Sequence, residues 1–232
     1  MMDEAEDRYT SGHYLEMNPT WHEEFGPWKA AHVRTILERN NLVPTSVCEI
    51  GTGSGEVLRL LAEGLPGARF VGYDIAEQAI SLAAPKAMDR LRFEQGSPFG
   101  ESDVFDVVLA LDVLEHVPDY LGFISQVRTT GRYQIYNIPL DLSARSVLQR
   151  SGIMNQRARV GHLHYFFKDT ALATLRDTGH EVIDWFYTSQ AFDWGPSPFR
   201  WPIVVLRRAL FRIAPDITAR LMGGFSMTVL CR

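Results

Sequence analysis

Short apolar runs alternate with amphipathic stretches along most of the chain. The runs "SVCEI", "RFVGYDI", "LRFEQ", "FDVVLAL" and "YQIYNI" are typical of strands. Between them, "SGEVLRLLAEGL", "EQAISLAAPKAM" and "PDYLGFISQVR" have helical periodicity. This alternation predicts an α/β fold, in which a doubly wound parallel sheet has helices on both faces and binds its ligand beyond the carboxyl ends of the strands.

The segments that flank this alternation differ from it. Residues 1–43 predict a helical cap over the sheet edge, with Pro27 near a helix start and Ile36 and Leu37 on its apolar face. Residues 44–232 are expected to form the main domain. In it, a basic loop "SARSVLQRSGIMNQRARVGHLHYFF" precedes a helix "KDTALATLRDTG" and the strands "HEVIDWFY" and "FSMTVLC". An insertion at about 190–223 separates these two strands and is far longer than a hairpin needs.

Composition narrows the class of protein. The chain has 232 residues, of which 46% are hydrophobic. This is enough for a full hydrophobic core without disulfide bonds or structural metal ions. Cys48 and Cys231 lie in apolar runs, so we expect both to be buried and reduced. The acidic start without an apolar segment predicts a cytoplasmic protein, and no run is long enough to span a bilayer. The net charge of −5 disfavours general nucleic-acid binding but leaves a local basic patch open.

Three glycines follow the first predicted strand in "VCEIGTGSGEV". Glycine lets a ligand press against the backbone, because no Cβ intervenes and positive φ costs little. A dinucleotide fingerprint, G-x-G-x-x-G, would need its third glycine at Glu56. Glu49 and Glu56 would also repel a pyrophosphate, whereas Glu49 suits a cationic ligand such as S-adenosylmethionine. A nicotinamide dehydrogenase is therefore the weaker alternative.

Asp74 ends the second apolar run, 19 positions after Gly55. A carboxylate at this strand end can accept hydrogen bonds from both ribose hydroxyls of a bound nucleotide. Its alternative role is to cap the helix that follows. Because either nucleotide class would use Asp74, this residue does not discriminate between them.

Five motifs in this order, "VCEIGTGSGEV", "VGYDIAEQAI", "RFEQGSPF", "FDVVLALDVLEHVPD" and "IYNIP", resemble those of class I S-adenosylmethionine-dependent methyltransferases from about residue 44 to residue 187. The resemblance implies a Rossmann-like seven-stranded sheet whose last strand is antiparallel, with S-adenosylmethionine as cofactor and S-adenosylhomocysteine as product. It also implies cofactor contacts at Glu49, Gly51, Thr52, Gly53, Gly55, Asp74, Ile75, Gly96, Ser97, Leu111 and Asp112. Ser97 departs from the pattern, because many relatives have an acidic residue there.

Three histidines are candidate catalytic residues. Methyl transfer needs an in-line nucleophile, and a poorly acidic hydroxyl also needs a base. His116 lies beyond the fourth strand in "LDVLEHVPD". His162 and His164 in "GHLHYFF" share one face if this stretch is extended, and the stretch resembles the H-x-H-x-F segment beside the substrate pocket of many small-molecule methyltransferases. A structural, hydrogen-bonded histidine is the alternative for each.

Metal binding is an alternative use of the same region. Asp112, Glu115 and His116 at positions i, i+3 and i+4 would share a helical face, and a later histidine could complete an oxygen and nitrogen site. We expect no metal.

The most favoured function is O-methylation of a small molecule or of a glycan- or lipid-linked acceptor. Alternatives are methylation of nitrogen or of a carboxylate, and a non-catalytic S-adenosylmethionine-binding protein.

The segment "SPFRWPIVVLRRALFRI" in the insertion predicts an amphipathic helix that starts near Pro202. Arg208 and Arg212 lie opposite an apolar stripe, which consists of Ile203, Leu206, Leu210 and Ile213. We expect this stripe to pack on the protein's own core or to close a lid over the substrate. Pairing with a second copy as a homodimer and contact with an anionic membrane are the alternatives.

Overall fold

Seven strands form one mixed sheet in the computed structural model, which describes residues 9–100, 104–149, 151–189 and 201–232. The strands are β1 (Ser46–Ile50), β2 (Arg69–Asp74), β3 (Leu91–Gln95), β4 (Phe105–Leu111), β5 (Gly131–Leu140), β6 (Val182–Thr188) and β7 (Phe225–Cys231). Their order is β3-β2-β1-β4-β5-β7-β6, and β7 runs antiparallel to both neighbours. The predicted Rossmann-like sheet with an antiparallel last strand is confirmed.

Helices connect the strands and follow most of the predicted pattern. Those with both ends in the described residues are α1 (His13–Met17), α2 (Gly26–Arg39), α3 (Glu56–Gly64), α4 (Glu77–Ala83), α5 (Tyr120–Thr130), α6 (Ala144–Leu148), α7 (Gly152–Val160), α8 (Lys168–Asp177), α9 (Trp201–Ile213) and α10 (Pro215–Met222). Single 3₁₀ turns lie at Glu23–Phe25, Ala84–Lys86 and Leu114–His116.

The prediction of a basic loop after β5 is wrong, because α6 and α7 lie there. Ser143 caps α6 by accepting a hydrogen bond from the backbone N–H of Ser146, and the Ser146 hydroxyl lies 2.9 Å from the Ser143 backbone nitrogen. Neither helix contains a fully buried side chain. The pattern therefore has no apolar stripe from which these helices could be predicted.

Two apolar clusters hold the sheet between its helices. Alternate residues of each central strand point to opposite faces, so Val108 and Ala110 join one cluster, and Val107 and Leu109 join the other. Helices α5 and α8 cover the first face, and α2 and α3 cover the second. Both cysteines are fully buried, and neither forms a disulfide, as predicted.

The N-terminal helix α2 packs on a face of the sheet and not over its edge. Pro27 lies in its first turn, as predicted, and Ala30, Val33 and Ile36 are buried. The helix packs against α3 and β7. The crossover helix α3 covers one part of this face, so the apolar stripe of α2 buries itself on the remainder beside it.

Helix α9 is present as predicted, but its predicted apolar stripe does not face the core. Leu206, Leu210 and Ile213, expected to face the core, are 56%, 41% and 82% exposed. The side chain of Ile203 and residues 190–200 of the insertion lie outside the described residues. The inward side instead contains Arg207, whose guanidinium lies 4.6 Å from the Phe225 ring centroid.

Stacking fixes this orientation. The ring of Phe211 stacks on that of Phe225 at 4.9 Å between centroids and also contacts Tyr187. These contacts place Phe211 and Arg207 inward, and Leu206, Leu210 and Ile213 therefore point outward. Among the described residues, no helix combines the length and the apolar character that crossing a membrane would require.

Candidate active site

A cavity of about 770 Å³ lies at the carboxyl ends of β1, β2, β4 and β5. This is the edge at which the predicted topology places a ligand. Ten of the predicted cofactor residues line the cavity: Glu49, Gly51, Thr52, Gly53, Asp74, Ile75, Gly96, Ser97, Leu111 and Asp112. The sequence motifs thus converge on one space.

The glycine turn contributes differently at its second and third glycines. Gly53 has a φ of 55° and lines the cavity, and a Cβ there would lie 2.7 Å from Trp21 Cδ1. Gly55 does not line the cavity. It precedes α3 with a φ of 76°, and a Cβ would lie 2.6 Å from the Phe93 ring. Gly55 is therefore needed for the turn and for close packing, and Gly53 borders the ligand space.

Glu49 is the next-to-last residue of β1, and its buried carboxyl, 2% exposed, lies on the cavity wall. The hydroxyl of Thr52 donates a hydrogen bond of 2.9 Å to Oε2 of Glu49. Burial raises the pKa of Glu49 to about 8, although Thr52 and nearby Lys29 oppose the rise. A cationic group that enters the cavity would stabilise the ionised form of this carboxyl.

Asp74 holds two loops together at the end of β2. Its Oδ2 accepts a hydrogen bond from the backbone N–H of Gly53 at 2.9 Å, and its Oδ1 accepts one from Ala76 at 3.0 Å. Burial raises the pKa of Asp74, against the effect of these donors. Asp74 thus supports the start of α4 and also faces the cavity, where each oxygen has a further lone pair for a ligand hydroxyl.

Lys29 of α2 lies in the cavity wall and pairs with Asp112, a contact that the sequence did not indicate. Its Nζ lies 2.7 Å from Oδ2 of Asp112, and Asn137 donates a hydrogen bond of 2.6 Å to Oδ1. Burial alone would lower the pKa of Lys29, but the carboxylate of Asp112 outweighs it and the pKa is raised. Asp112 has a φ of 60°, and this pairing holds its left-handed backbone in place.

Two of the three candidate histidines meet around Glu115. Nε2 of His116 and Nε2 of His162 lie 3.8 and 3.9 Å from Oε1 of Glu115, and the two rings are 4.9 Å apart. On their other sides, Nδ1 of His162 contacts Asp141 at 2.5 Å and Nδ1 of His116 contacts the Tyr9 hydroxyl at 2.8 Å. All five side chains line the cavity.

Hydrogen bonding to a carboxylate assigns the tautomer of His162. The carboxylate of Asp141 accepts from Nδ1–H of His162. This leaves Nε2 of His162 as a proton acceptor. The Tyr9 hydroxyl lies 2.8 Å from Nδ1 of His116 and 3.3 Å from the carbonyl oxygen of Val160, and which of these atoms takes its proton depends on the tautomer of His116.

The electrostatics of this cluster are set by burial. Glu115 is completely buried, and neither of its side-chain oxygens has a hydrogen-bond partner among the described residues. Burial raises the pKa of Glu115 well above its usual range. Burial, assisted by His162, lowers the pKa of His116 to about 3. At neutral pH His116 is therefore uncharged, and burial favours the protonated form of Glu115.

His164 lies apart from this cluster. Its Nε2 donates to the carbonyl oxygen of Val117 at 2.9 Å, and its ring contacts that of Tyr120 at 4.3 Å between centroids, with 40° between the ring planes. It does not line the cavity. The segment that contains His162 and His164 forms no strand, so the alternation that would place both side chains on one face does not apply.

Sequence reasoning missed Asp141, Tyr9 and Lys29. The sequence could have indicated Asp141, because this residue directly follows β5 at the edge where the site was expected. Tyr9 and Lys29 belong to the N-terminal segment and reach the cavity through packing, for which no local pattern exists.

Glu115, His116 and His162 also form a group with metal-ligand geometry in the described part of the chain. Their potential ligand atoms all lie within 4.8 Å of one another. Asp112, which the sequence pattern included, is not in this group and pairs with Lys29. His162 is the later histidine that the pattern required.

A family model described as a methyltransferase domain matches residues 20–184. The chain therefore belongs to this family, and solved structures of methyltransferases share its fold. Magnesium protoporphyrin IX methyltransferase from Synechocystis, solved with S-adenosylhomocysteine bound, has a TM-score of 0.60 at 18% identity over 93% of this chain and 85% of that one. A methyltransferase from Thiobacillus denitrificans, also with S-adenosylhomocysteine, has a TM-score of 0.57 at 17% identity over 88% and 90%.

Curated relatives match over a shorter region. The trans-aconitate 2-methyltransferase of Deinococcus radiodurans is 29% identical over 46% of this chain and 42% of its own length. The ubiquinone biosynthesis O-methyltransferase of Aliivibrio fischeri is 29% identical over 48% and 53%. The chain spans about half the length of the curated relatives it matches. The predicted family and cofactor class are confirmed.

Proposed function

We propose that this protein transfers the methyl group of S-adenosylmethionine to a hydroxyl oxygen of a small or lipid- or glycan-linked acceptor. One observation supports this most: the predicted cofactor residues and the histidine cluster line the same cavity. In this proposal the cofactor occupies the part next to Glu49 and Asp74. The acceptor occupies the part next to His116 and His162.

His162 is the proposed general base. The acceptor oxygen attacks the methyl carbon, the carbon–sulfur bond breaks, and its electron pair returns to sulfur. The hydroxyl proton moves to Nε2 of His162, and Asp141 stabilises the resulting imidazolium through the 2.5 Å contact at Nδ1. His116, with its low pKa, serves as a neutral hydrogen-bond acceptor that orients the acceptor molecule.

The need for a general base distinguishes hydroxyl acceptors from carboxylate acceptors. A carboxylate is already ionised and needs no base, and one relative is by name a trans-aconitate methyltransferase. With hydroxyl acceptors, we expect His162→Ala to lower kcat by roughly 10²- to 10⁴-fold while cofactor affinity is unchanged. His164→Ala is the matched control and should retain activity.

A panel of labelled methyl-transfer assays with phenol, alcohol, amine and carboxylate acceptors tests this proposal. Turnover of carboxylates alone, unchanged in His162→Ala, would assign carboxyl methylation instead. Binding of S-adenosylmethionine without turnover of any acceptor would favour the non-catalytic alternative.

A second candidate is metal-assisted transfer, favoured by the buried, unpartnered oxygens of Glu115. A divalent ion bound by Glu115, His116 and His162 would satisfy both oxygens and could polarise the acceptor hydroxyl. Loss of activity in chelator, restored by a divalent ion, together with metal in the isolated protein, would support this candidate. Full activity after complete chelation would exclude it and leave His162 as base.

A further inference from the structure

Four helices near the cavity form a surface with an unusual apolar exposure. Helix α9 packs on α10, α10 on α6, and α6 on α7. Among the described residues, sixteen large hydrophobic side chains are exposed, and these four helices contain nine of them. The helices comprise only residues 144–148, 152–160, 201–213 and 215–222. Leu148 of α6 and Ile213 of α9 are 84% and 82% exposed. We call these four helices the helical face.

The outward apolar stripe of α9 is a consequence of its packing. Val204 and Arg207 point inward, and one helical turn further on Phe211 stacks on Phe225. On a helix with 100° between residues, Leu206 and Ile213 then lie on the side opposite to these contacts. No described part of the chain covers them.

The helical face is also basic. Its helices contain seven arginines and one aspartate, in a chain whose net charge is −5. The aspartate, Asp216, accepts hydrogen bonds from Lys168 and from the Tyr187 hydroxyl. Arg145, Arg208 and Arg212 are exposed. The rest of the chain is correspondingly acidic, so the positive charge is concentrated here.

We propose that the helical face binds the surface of an anionic lipid bilayer. Exposed apolar side chains flanked by arginines suit the boundary between headgroups and acyl chains, where both kinds of side chain are stabilised. A second copy would bring the same arginines opposite these ones, which costs electrostatic energy in a two-fold interface. A nucleic acid would match the charge but not the apolar side chains.

The cavity lies beside this surface. Gln156 and Val160 of α7 and Arg207 of α9 line both the cavity and the inner side of the helical face. An amphiphilic acceptor held in the bilayer would therefore reach the methyl-transfer site over a short distance. This consequence rests on the proposed function, whereas bilayer binding does not.

Sedimentation with vesicles tests the proposal. We expect the wild-type protein to bind vesicles of phosphatidylcholine with about 30% phosphatidylglycerol, to bind pure phosphatidylcholine much less, and to dissociate as salt rises. Arg208→Gln with Arg212→Gln should weaken binding roughly 30-fold at low salt. Leu206→Ser with Ile213→Ser should weaken it at least about tenfold.

Matched variants on the opposite edge of the sheet serve as controls. Arg69→Gln with Arg132→Gln, and Val43→Ser with Val104→Ser, change exposed residues at the amino ends of strands and should bind like wild type. Unchanged thermal unfolding and S-adenosylmethionine affinity verify that every variant is folded.

Three results would overturn the proposal. The first is no binding of wild-type protein to the anionic vesicles. The second is binding that the serine pair leaves intact, which would indicate a purely electrostatic, polyanion-binding surface. The third is a wild-type dimer that the serine pair converts to monomer, which would assign the apolar stripe to a second copy.

Discussion

Glu49→Gln should stabilise the cofactor-free protein by an amount that grows with pH. Glutamine has the same shape as the protonated carboxyl and can still accept the hydrogen bond of Thr52. It does not ionise, so it avoids the cost of a buried charge at this position. The variant therefore removes one titration and little else.

The magnitude follows from the pKa. Burial raises the pKa of Glu49 from 4.5 to about 8, and each unit corresponds to about 1.4 kcal/mol. Between these two values the folded protein holds a proton that the unfolded chain has lost, so wild-type stability falls as pH rises. The free energy of unfolding of Glu49→Gln minus that of wild type should increase by about 1.4 kcal/mol per pH unit. The difference becomes constant above about pH 8.

Urea unfolding of both proteins at about pH 5.5, 6.5 and 7.5 measures this difference. Over these two units we expect a gain of roughly 3 kcal/mol for the variant. Glu56→Gln is the control, because hydrogen bonds from Arg59 lower the pKa of Glu56 and keep it ionised throughout this range. Its difference from wild type should not vary with pH. A pH-independent difference for Glu49→Gln would refute the reasoning.

The same titration links cofactor binding to pH. If the ammonium of S-adenosylmethionine pairs with ionised Glu49, binding at about pH 6 to 7 releases close to one proton, and Kd falls about tenfold per pH unit up to about pH 8. Calorimetry in buffers of different ionisation enthalpy counts the proton. Glu49→Gln should bind more weakly at about pH 8 and without this proton release. Equal proton release by wild type and variant would place the ammonium elsewhere.

Three further predictions concern single residues. Asp74→Ala should weaken the binding of S-adenosylmethionine and S-adenosylhomocysteine by about 1.5 to 3 kcal/mol, measured by calorimetry, because charged hydrogen bonds to the ribose are lost. Unchanged affinity would restrict Asp74 to its hydrogen bonds with the backbone of Gly53 and Ala76. Lys29→Met should lower the free energy of unfolding by about 3 kcal/mol, because Asp112 loses its partner, and Lys29→Met with Asp112→Asn should recover part of it. Gly55→Ala should cost at least about 1 kcal/mol in urea unfolding, through its φ of 76° and the Phe93 ring, and a neutral effect would contradict this packing.

The sequence by itself determined the sheet and the part of the cavity next to Glu49 and Asp74. Strands are short apolar runs, and the residue that ends a strand is fixed by local pattern, so this pattern alone places Glu49 and Asp74 at one edge of the sheet. The glycines after β1 belong to the same local signal. Topology then brings all carboxyl ends of the parallel strands together.

The tertiary structure decided the part of the cavity next to Glu115 and the histidines. His162 and His164 are two residues apart and were equivalent in sequence, but without a strand one faces Glu115 and the other Val117. Lys29 reaches Asp112 because α2 packs on the sheet face, over a separation that no periodicity describes.

The orientation of helix α9 is another feature that the sequence alone did not determine. Its sequence specifies an amphipathic helix but not that Arg207 and Phe211 face inward. The orientation of the helix depends on the stacking of Phe211 on Phe225 and on the contact of Arg207 with Phe225. Phe225 lies outside the helix, so no local pattern indicates these contacts. Local pattern determines elements and strand ends, whereas orientation and pairing depend on contacts that form once the chain has folded.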